Sequence, residues 1–446
     1  MPGGLVMRSE TLALAIEALS WMELKRMNGR QALRSTAEQL RIRDGPTLRH
    51  AFRLIMETTR RRNALDHIIL RAIGEDGINE IFLGKKNFLR IYAFEAIYGD
   101  PTYEELVEME DLAREILGER GFAPVEEALI LIPRLEILWE EISQDEVTAL
   151  RTFHPTWYVR YCRKLLGDEE STQLLEAPVP PSYVRVNETK GDDKMLLGKL
   201  RGEGVELENV GLKHLYKVVA KTRPLVFLNS HEMGLFTIQD KASALAGFVA
   251  APAPGMTVLE VCAAPGIKTG HIAERLAGEG RIYSMDFSEK RLEEWKREML
   301  RLGVGNAIPV RGDAIKQGAY PDIEADLVLV DPPCTGTGTF GRAPSGKWRI
   351  TRGSIGRMAG IQRRILSRCA NRVAEGGSIV YSTCSITIEE NEMVVEHFLR
   401  EHPEFELVDA LPRLGLPGLR GQEGAQRLYP HLNECNGFYL AKLKRE

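Results

Sequence analysis

Between residues 257 and 383 the chain repeats one pattern, a short run of β-branched and aliphatic residues followed by turn chemistry. The runs are Thr257–Val261, Arg281–Met285, Ala307–Val310, Leu327–Val330 and Ser378–Ser382. Short apolar runs bounded by turn residues read as buried strands. With helical stretches between them they predict an open, parallel α/β sheet. Such a sheet binds ligands at the carboxyl ends of its strands. The residues that close each run are therefore the candidates for function.

After the first run comes Cys262-Ala263-Ala264-Pro265-Gly266-Ile267-Lys268, then a helical stretch through His271, Ile272 and Leu276. Small residues and one Gly let the backbone approach a ligand, and the helix offers N–H groups and its positive dipole end. Asp286 closes the second run, about twenty residues past Gly266, where an acid can accept bonds from ribose hydroxyls. Asp313 follows the third run and could accept from an adenine amino group. Only one Gly fits the dinucleotide fingerprint, so an NAD site is a poor match. Taken alone, an acid closing a strand is a turn residue. The full order of strand, loop, helix, strand, Asp, helix, strand, Asp predicts a Rossmann-like S-adenosylmethionine methyltransferase core.

The last two runs lead to Asp331-Pro332-Pro333-Cys334 and to Thr383-Cys384-Ser385. A lone Cys at a strand end is by default inert packing. Two of them, closing strands of one sheet below a cofactor loop, can converge on a single substrate atom. Cytosine chemistry gives a use for two: one thiolate adds to carbon 6 and makes carbon 5 nucleophilic, and the other helps release product. Asp331 stands where a carboxylate could bond the ring nitrogen or the cofactor, and Lys268 could reach the cofactor carboxylate or the base. An amino-group methyltransferase would share the Asp-Pro-Pro run but would carry an aromatic, not a thiol, at position 334.

These motifs resemble the Sun/Fmu-type RNA cytosine-carbon-5 methyltransferases, over nearly the whole chain. Weaker matches are Pro181-Ser182-Tyr183-Val184-Arg185-Val186-Asn187, similar to the family's RNA-contacting segment, and Ile238-Gln239-Asp240-Lys241-Ala242-Ser243, similar to its cofactor-side helix. The resemblance implies that Cys384 is the nucleophile and that Cys334 assists elimination. Ile267 departs from the family's usual second Gly, and the run after Cys334 looks archaeal or eukaryotic. The resemblance leaves ribosomal and transfer RNA both open as substrate. A non-catalytic RNA-binding assembly factor is the contrasting class, but it has no use for two such thiols.

A length of 446 residues predicts two or three domains. Residues 1–150 carry helical stripes, such as Leu65, Ile68, Ile69, Ala72 and Ile73. Segments around Leu65-Asp66 and from Asn87 to Tyr98 resemble the all-α NusB-type RNA-binding domain. Residues 151–229 read as a linker and small α/β subdomain in which Arg185 and Asn187 could position RNA. Residues 230–446 hold the methyltransferase core, ending in a strand pair expected as an edge hairpin. The net charge of −4 hides a balance of +6 over residues 1–90 and −13 over residues 91–150. Phosphate responds to local patches, so Arg60, Arg61 and Arg62 are candidate RNA contacts. Six dispersed cysteines fit neither a disulfide framework nor a zinc site. No apolar run is long enough for a membrane span to be expected, and no leader is expected in the opening run from Met1 to Arg8. The expectation is a cytoplasmic monomer that binds RNA and S-adenosylmethionine and no metal.

Overall fold

The computed structural model describes residues 7–119, 122–316 and 318–446, so the opening run Met1–Val6 lies outside it. The chain divides into two compact units: residues up to Glu176 with Ala343–Arg349, and Ala177–Arg342 with Ile350–Glu446.

The first unit is helical: α1 (Ser9–Leu24), α2 (Gly29–Leu40), α3 (Gly45–Arg60), α4 (Arg62–Glu80), α5 (Leu83–Tyr98), α6 (Tyr103–Leu117), α7 (Ala123–Leu131), α8 (Gln144–Arg151), α9 (Thr156–Leu166) and α10 (Asp168–Glu176). Its core is built from the apolar stripes, with Leu65, Ile68 and Ile69 of α4 buried against Leu89 and Ala93 of α5 and Ile55 of α3. Local chemistry sets the ends. Asp44 accepts from the Thr47 N–H at 2.9 Å to cap α3, and Thr102 with Glu105 forms a capping box on α6. Arg90 is buried at the centre, paired with Asp66 and Glu23 at 2.5 Å each.

The second unit opens with β1 (Tyr183–Val186), α11 (Asp193–Gly202), β2 (Val205–Asn209), β3 (Leu215–Lys221), α12 (Asn229–Glu232) and β4 (Phe236–Ile238). These strands form an antiparallel sheet in the order β2-β3-β1-β4. Then come α13 (Lys241–Ala250), β5 (Thr257–Val261), α14 (Ile267–Arg275), β6 (Arg281–Asp286), α15 (Glu289–Leu302), β7 (Ala307–Arg311), β8 (Ala325–Val330), α16 (Arg352–Ala370) and β9 (Val373–Thr383). The chain closes with α17 (Glu392–Glu401), β10 (Phe405–Val408), β11 (Leu416–Pro417), β12 (Gln426–Leu428), α18 (Pro430–Asn433) and β13 (Phe438–Arg445). The large sheet runs β11-β12-β13-β9-β8-β5-β6-β7, with β5 to β9 parallel. This is the Rossmann-like α/β core that the alternating runs predict.

The closing pair differs from the expected edge hairpin. β13 does pair antiparallel with β10, but it also pairs with β9 and β12 and so lies inside the sheet. The reason is burial on both faces. Tyr439, Leu440 and Ala441 are consecutive and fully buried, the signature of an interior strand.

Candidate active site

Strands β8 and β9 are parallel neighbours, with Val330 opposite Tyr381. Each runs on into a cysteine, so Cys334 and Cys384 leave the same edge side by side. Their sulfurs lie 3.2 Å apart, as free thiols within hydrogen-bonding distance. The bond to Cys384, and then burial, push the Cys334 thiol well above an ordinary cysteine. Burial raises the thiols of Cys162 and Cys369 to about 12 and also raises those of Cys262 and Cys435, so these four are unreactive.

On its other side β8 pairs with β5, which brings the Cys262–Lys268 loop beside Asp331. Cys262 and Gly266 take left-handed φ values of 64° and 103°, turning the chain from β5 into α14. Gly266 is needed there, because a Cβ would come within 2.8 Å of Trp295 and Met299. Lys268, in the first turn of α14, is ion-paired with the Asp331 carboxylate. The other Asp331 oxygen accepts from Ser382 Oγ at 3.2 Å. Burial works against the Lys268 ammonium, but Asp331, Glu260 and Cys384 outweigh it and hold the amine above an ordinary lysine. Beneath the loop, buried Glu260 accepts from Thr269 Oγ1 at 2.5 Å and Ser284 Oγ at 3.2 Å. Burial pushes its carboxyl up to about 7 despite the Thr269 bond and the Lys268 charge.

The strand order β7-β6-β5-β8-β9 places Asp313, Asp286, the 262–268 loop, Asp331 with Cys334, and Cys384 in sequence along one edge. Within the loop Ala263 and Ala264 are buried, Pro265 is exposed and Ile267 is half-buried. Asp313 keeps a partly exposed carboxylate, with one oxygen on the Ile315 N–H at 3.2 Å. Asp286 is different. Its carboxylate is buried and accepts from the Ala264 and Ser288 N–H groups at 3.3 and 3.0 Å, and Arg291 Nη1 sits 3.2 Å away. Arg291 and the Ala264 N–H share one Asp286 oxygen, and the Ser288 N–H takes the other.

Two loops are locked together behind the thiols. The Gly338 N–H donates to the Cys384 carbonyl at 2.9 Å, and the Gly437 N–H donates to the Gly338 carbonyl at 2.8 Å. A Cβ at Gly338 would lie 2.0 Å from the Gly437 oxygen, so only Gly permits this approach. Sequence reading gave no role to Thr335, Gln362, Ser385 and Glu390, whose polar groups meet behind the cysteines. The available signal was the polar density from Ser385 to Asn391, immediately after an apolar strand.

The residues expected to contact RNA have partners within the chain. Arg185 is buried, donating to Gln239 Oε1 at 2.7 Å and ion-paired with Glu274. Asn187 is buried too, and its amide donates to the Gly234 and Leu302 carbonyls at 2.8 and 2.9 Å. Both tie the small sheet to the large one's helices. Arg60 and Arg61 pair with Glu57, and Arg62 pairs with Glu23 and Asp66. The Arg61 guanidinium also lies over Tyr98, Phe153 and Phe94, at 4.9, 5.1 and 5.4 Å. Exposed cations cluster nearby in the first unit at Lys25, Arg26, Arg30, Arg34, Arg41, Arg43 and Arg49, with others at Arg8, Arg53, Arg71, Arg134, Arg151, Arg160 and Lys164. Among the described residues no group of side chains could hold a metal, and no helix is long and apolar enough to cross a membrane.

An open parallel sheet carrying this edge, set beside its relatives, defines an RNA methyltransferase with a Rossmann-like core. Residues 248–444 match the family model described as 16S rRNA methyltransferase RsmB/F. The probable ribosomal RNA small subunit methyltransferase B of Bacillus subtilis strain 168 is 30% identical over 404 residues, covering 88% of this chain and 89% of its own. The Escherichia coli O6:H1 ribosomal RNA small subunit methyltransferase B is 32% identical over 318 residues, 68% of this chain and 70% of its own. The chain belongs to this RsmB/F family, the Sun/Fmu group. Among solved structures, PH0851 superposes with a TM-score of 0.86 at 27% identity, covering 99% of this chain and all of its own. NSun6 from Pyrococcus horikoshii, solved with SFG, gives 0.61 at 26% identity over 65% of this chain and 98% of its own.

Proposed function

We propose that the protein transfers a methyl group from S-adenosylmethionine to carbon 5 of a cytosine in ribosomal RNA, through covalent addition of Cys384. The observation that carries this reading is the pair of sulfurs 3.2 Å apart at the ends of neighbouring parallel strands. The relatives named for small-subunit ribosomal RNA support the substrate class, and the neighbour solved with SFG, an S-adenosylmethionine analogue, supports the cofactor.

The edge has a donor set that fits this cofactor. Asp313 and Asp331 keep partly exposed carboxylates for polar groups of the nucleoside and amino-acid ends. Asp286 is available to ribose once Arg291 moves, and the start of α14 points its positive end at the loop. When bound, the cofactor supplies an electrophilic methyl on a sulfonium. The chain's residues do the rest. The target base leaves its stack to enter the site. The Cys384 thiolate bonds to carbon 6, and the displaced electron pair makes carbon 5 a nucleophile toward the methyl. The Asp331–Lys268 pair supplies a proton donor for the ring nitrogen, which gathers charge during addition. Once Cys384 is bonded to carbon 6 it no longer opposes charge on Cys334, which gives its own proton to solvent and, as thiolate, takes the carbon-5 proton. The electron pair of that C–H bond restores the ring double bond, and the carbon–sulfur bond breaks to return Cys384.

The two thiols should behave unequally. On cytidine RNA, Cys384→Ala should lose turnover and form no covalent complex. Cys334→Ala should also lose turnover but should trap a protein–RNA adduct visible on a denaturing gel. A loss of at least ~10³-fold is expected for each, since removal of a covalent or proton-transfer group is of that order. Adduct from Cys384→Ala, with none from Cys334→Ala, would reverse the roles.

A further inference from the structure

Glu390 lies between Cys384 and α17 and is fully buried. Its Oε1 accepts from the Thr335 N–H at 2.8 Å and from Gln362 Nε2 at 3.0 Å. Its Oε2 accepts from three hydroxyls: Thr335 Oγ1 at 2.5 Å, Ser385 Oγ at 2.7 Å and Thr387 Oγ1 at 2.8 Å. Thr335 follows Cys334 in the chain, and Ser385 follows Cys384. One carboxylate thus holds the residue next to each cysteine. A buried charge is costly unless its hydrogen-bonding capacity is filled, and here five donors fill it.

The grip is reinforced from every side. Gln362 of α16 also donates to the Pro333 carbonyl at 2.9 Å, on the near side of Cys334. Tyr381 Oη, on β9, donates to the Glu390 carbonyl at 2.6 Å. Asn391 accepts from Thr383 Oγ1 at 2.5 Å and donates to the Ser385 carbonyl at 2.9 Å, fixing the backbone on both sides of Cys384. The two sulfurs follow separate strands, and such cross-links add to the strand pairing and the Gly338–Cys384 bond in setting the gap between them.

We propose that Glu390 is a positioning residue, a single buried carboxylate that ties the residue after Cys334 to the residue after Cys384 and so holds the two sulfurs at reacting separation. This rests on the two-cysteine reading above and deepens it. Addition to carbon 6 needs Cys384 alone. Release needs Cys334 to reach the carbon-5 proton while Cys384 is still bonded. Loss of the tie should therefore slow release more than addition. The Glu390 charge also opposes a thiolate at Cys334. The groups facing that sulfur are Cys384, Glu390, Asp331 and Tyr381.

The test compares Glu390→Ala, Thr335→Val and Glu390→Gln with the intact enzyme, measuring turnover and covalent adduct on cytidine RNA. Glu390→Ala should lower kcat on the order of 100-fold, the scale of a misplaced reacting group, with KM for RNA within about threefold. Its ratio of adduct to turnover should rise at least roughly tenfold. Thr335→Val, which removes one hydroxyl and leaves the carboxylate, should move the ratio the same way by less. It carries the test if Glu390→Ala does not fold. Glu390→Gln keeps one oxygen for Thr335 and Gln362 and should return the ratio to within about threefold of wild type. Proportional losses of adduct and turnover in both Glu390→Ala and Thr335→Val would mean only less folded enzyme, and would overturn the proposal. Wild type on 5-fluorocytidine RNA is the separate control. No adduct there removes covalent catalysis itself, and the Glu390 proposal with it, whereas adduct there with unaltered ratios in the variants removes only the role of Glu390.

Discussion

Glu260 shows how the site loads cost onto single residues. It is buried under the cofactor loop, and its carboxyl is pushed from an ordinary 4.5 up to about 7 by burial. Between those values the folded protein binds a proton that the unfolded chain does not. Its contribution to stability is therefore full below about 4.5 and is lost as pH rises through 7. Glu260→Gln is neutral at every pH and can still accept from Thr269 and Ser284. Its stability relative to wild type should improve by about 3 kcal/mol between pH 4.5 and pH 8, about 1.4 for each unit of the shift. Urea unfolding at the two pH values measures it, and an equal difference at both would refute the assignment. The sequence shows Glu260 only as a polar interruption in an apolar strand. Cys334, Cys384, Asp331 and Lys268 were legible because each stands at a strand end or in the loop. Glu260 and Glu390 were not, because their work depends on which hydroxyls fold against them.

At the scale of elements, apolar periodicity was enough for the parallel strands and for the helices of the first unit. What it cannot carry is pairing between side chains of distant elements. Arg185 sits in an alternating strand whose two faces look alike in sequence, and Glu274, its partner, comes from α14. Charge counting fails in the same way for the first unit. The Arg60–Arg62 run is tied to acids on α1, α3 and α4, whereas a cluster of exposed cations lies just after α1, on α2 and after it, and at the start of α3. If the helical unit binds RNA, that second set supplies the phosphate contacts. A triple Arg30→Ala, Arg41→Ala, Arg43→Ala variant should reduce the slope of log affinity against log salt by about 2 to 3 and leave the melting temperature nearly unchanged. Arg61→Ala should do the reverse, since it removes an ion pair and three aromatic contacts. Equal salt slopes in the triple variant and wild type would remove this surface from RNA binding.

The whole molecule is joined by more than one crossing of the chain. After the Cys334 loop the chain returns to the first unit as Ala343–Arg349 before it enters α16. No pattern in sequence marks so short a return, because the bonds that its side chains make reach residues far away along the chain. Lys347 Nζ donates to the Phe153 carbonyl at 2.9 Å, Trp348 Nε1 to the Thr59 carbonyl at 2.6 Å, and Arg349 Nη1 to the Arg26 carbonyl at 2.8 Å. Lys347 is buried, and burial first, then the charges of Arg60 and Arg61, bring its amine from 10.5 down to about 7, against the opposing pull of Glu57. Between those values the unfolded chain binds a proton that the folded protein does not, so stability rises with pH across that window. Below 7 the folded unit carries a buried ammonium with a neutral carbonyl as its bonded partner. Lys347→Met keeps the stem and removes the charge. It should stabilise the protein by about 3 kcal/mol at pH 6, after allowing for the lost hydrogen bond, and the gain should shrink toward zero near pH 10. Thermal unfolding at pH 6 and pH 9.5 decides it. A variant destabilised at both would show that the bond to Phe153 outweighs the buried charge and that Lys347 is there to hold the segment in place.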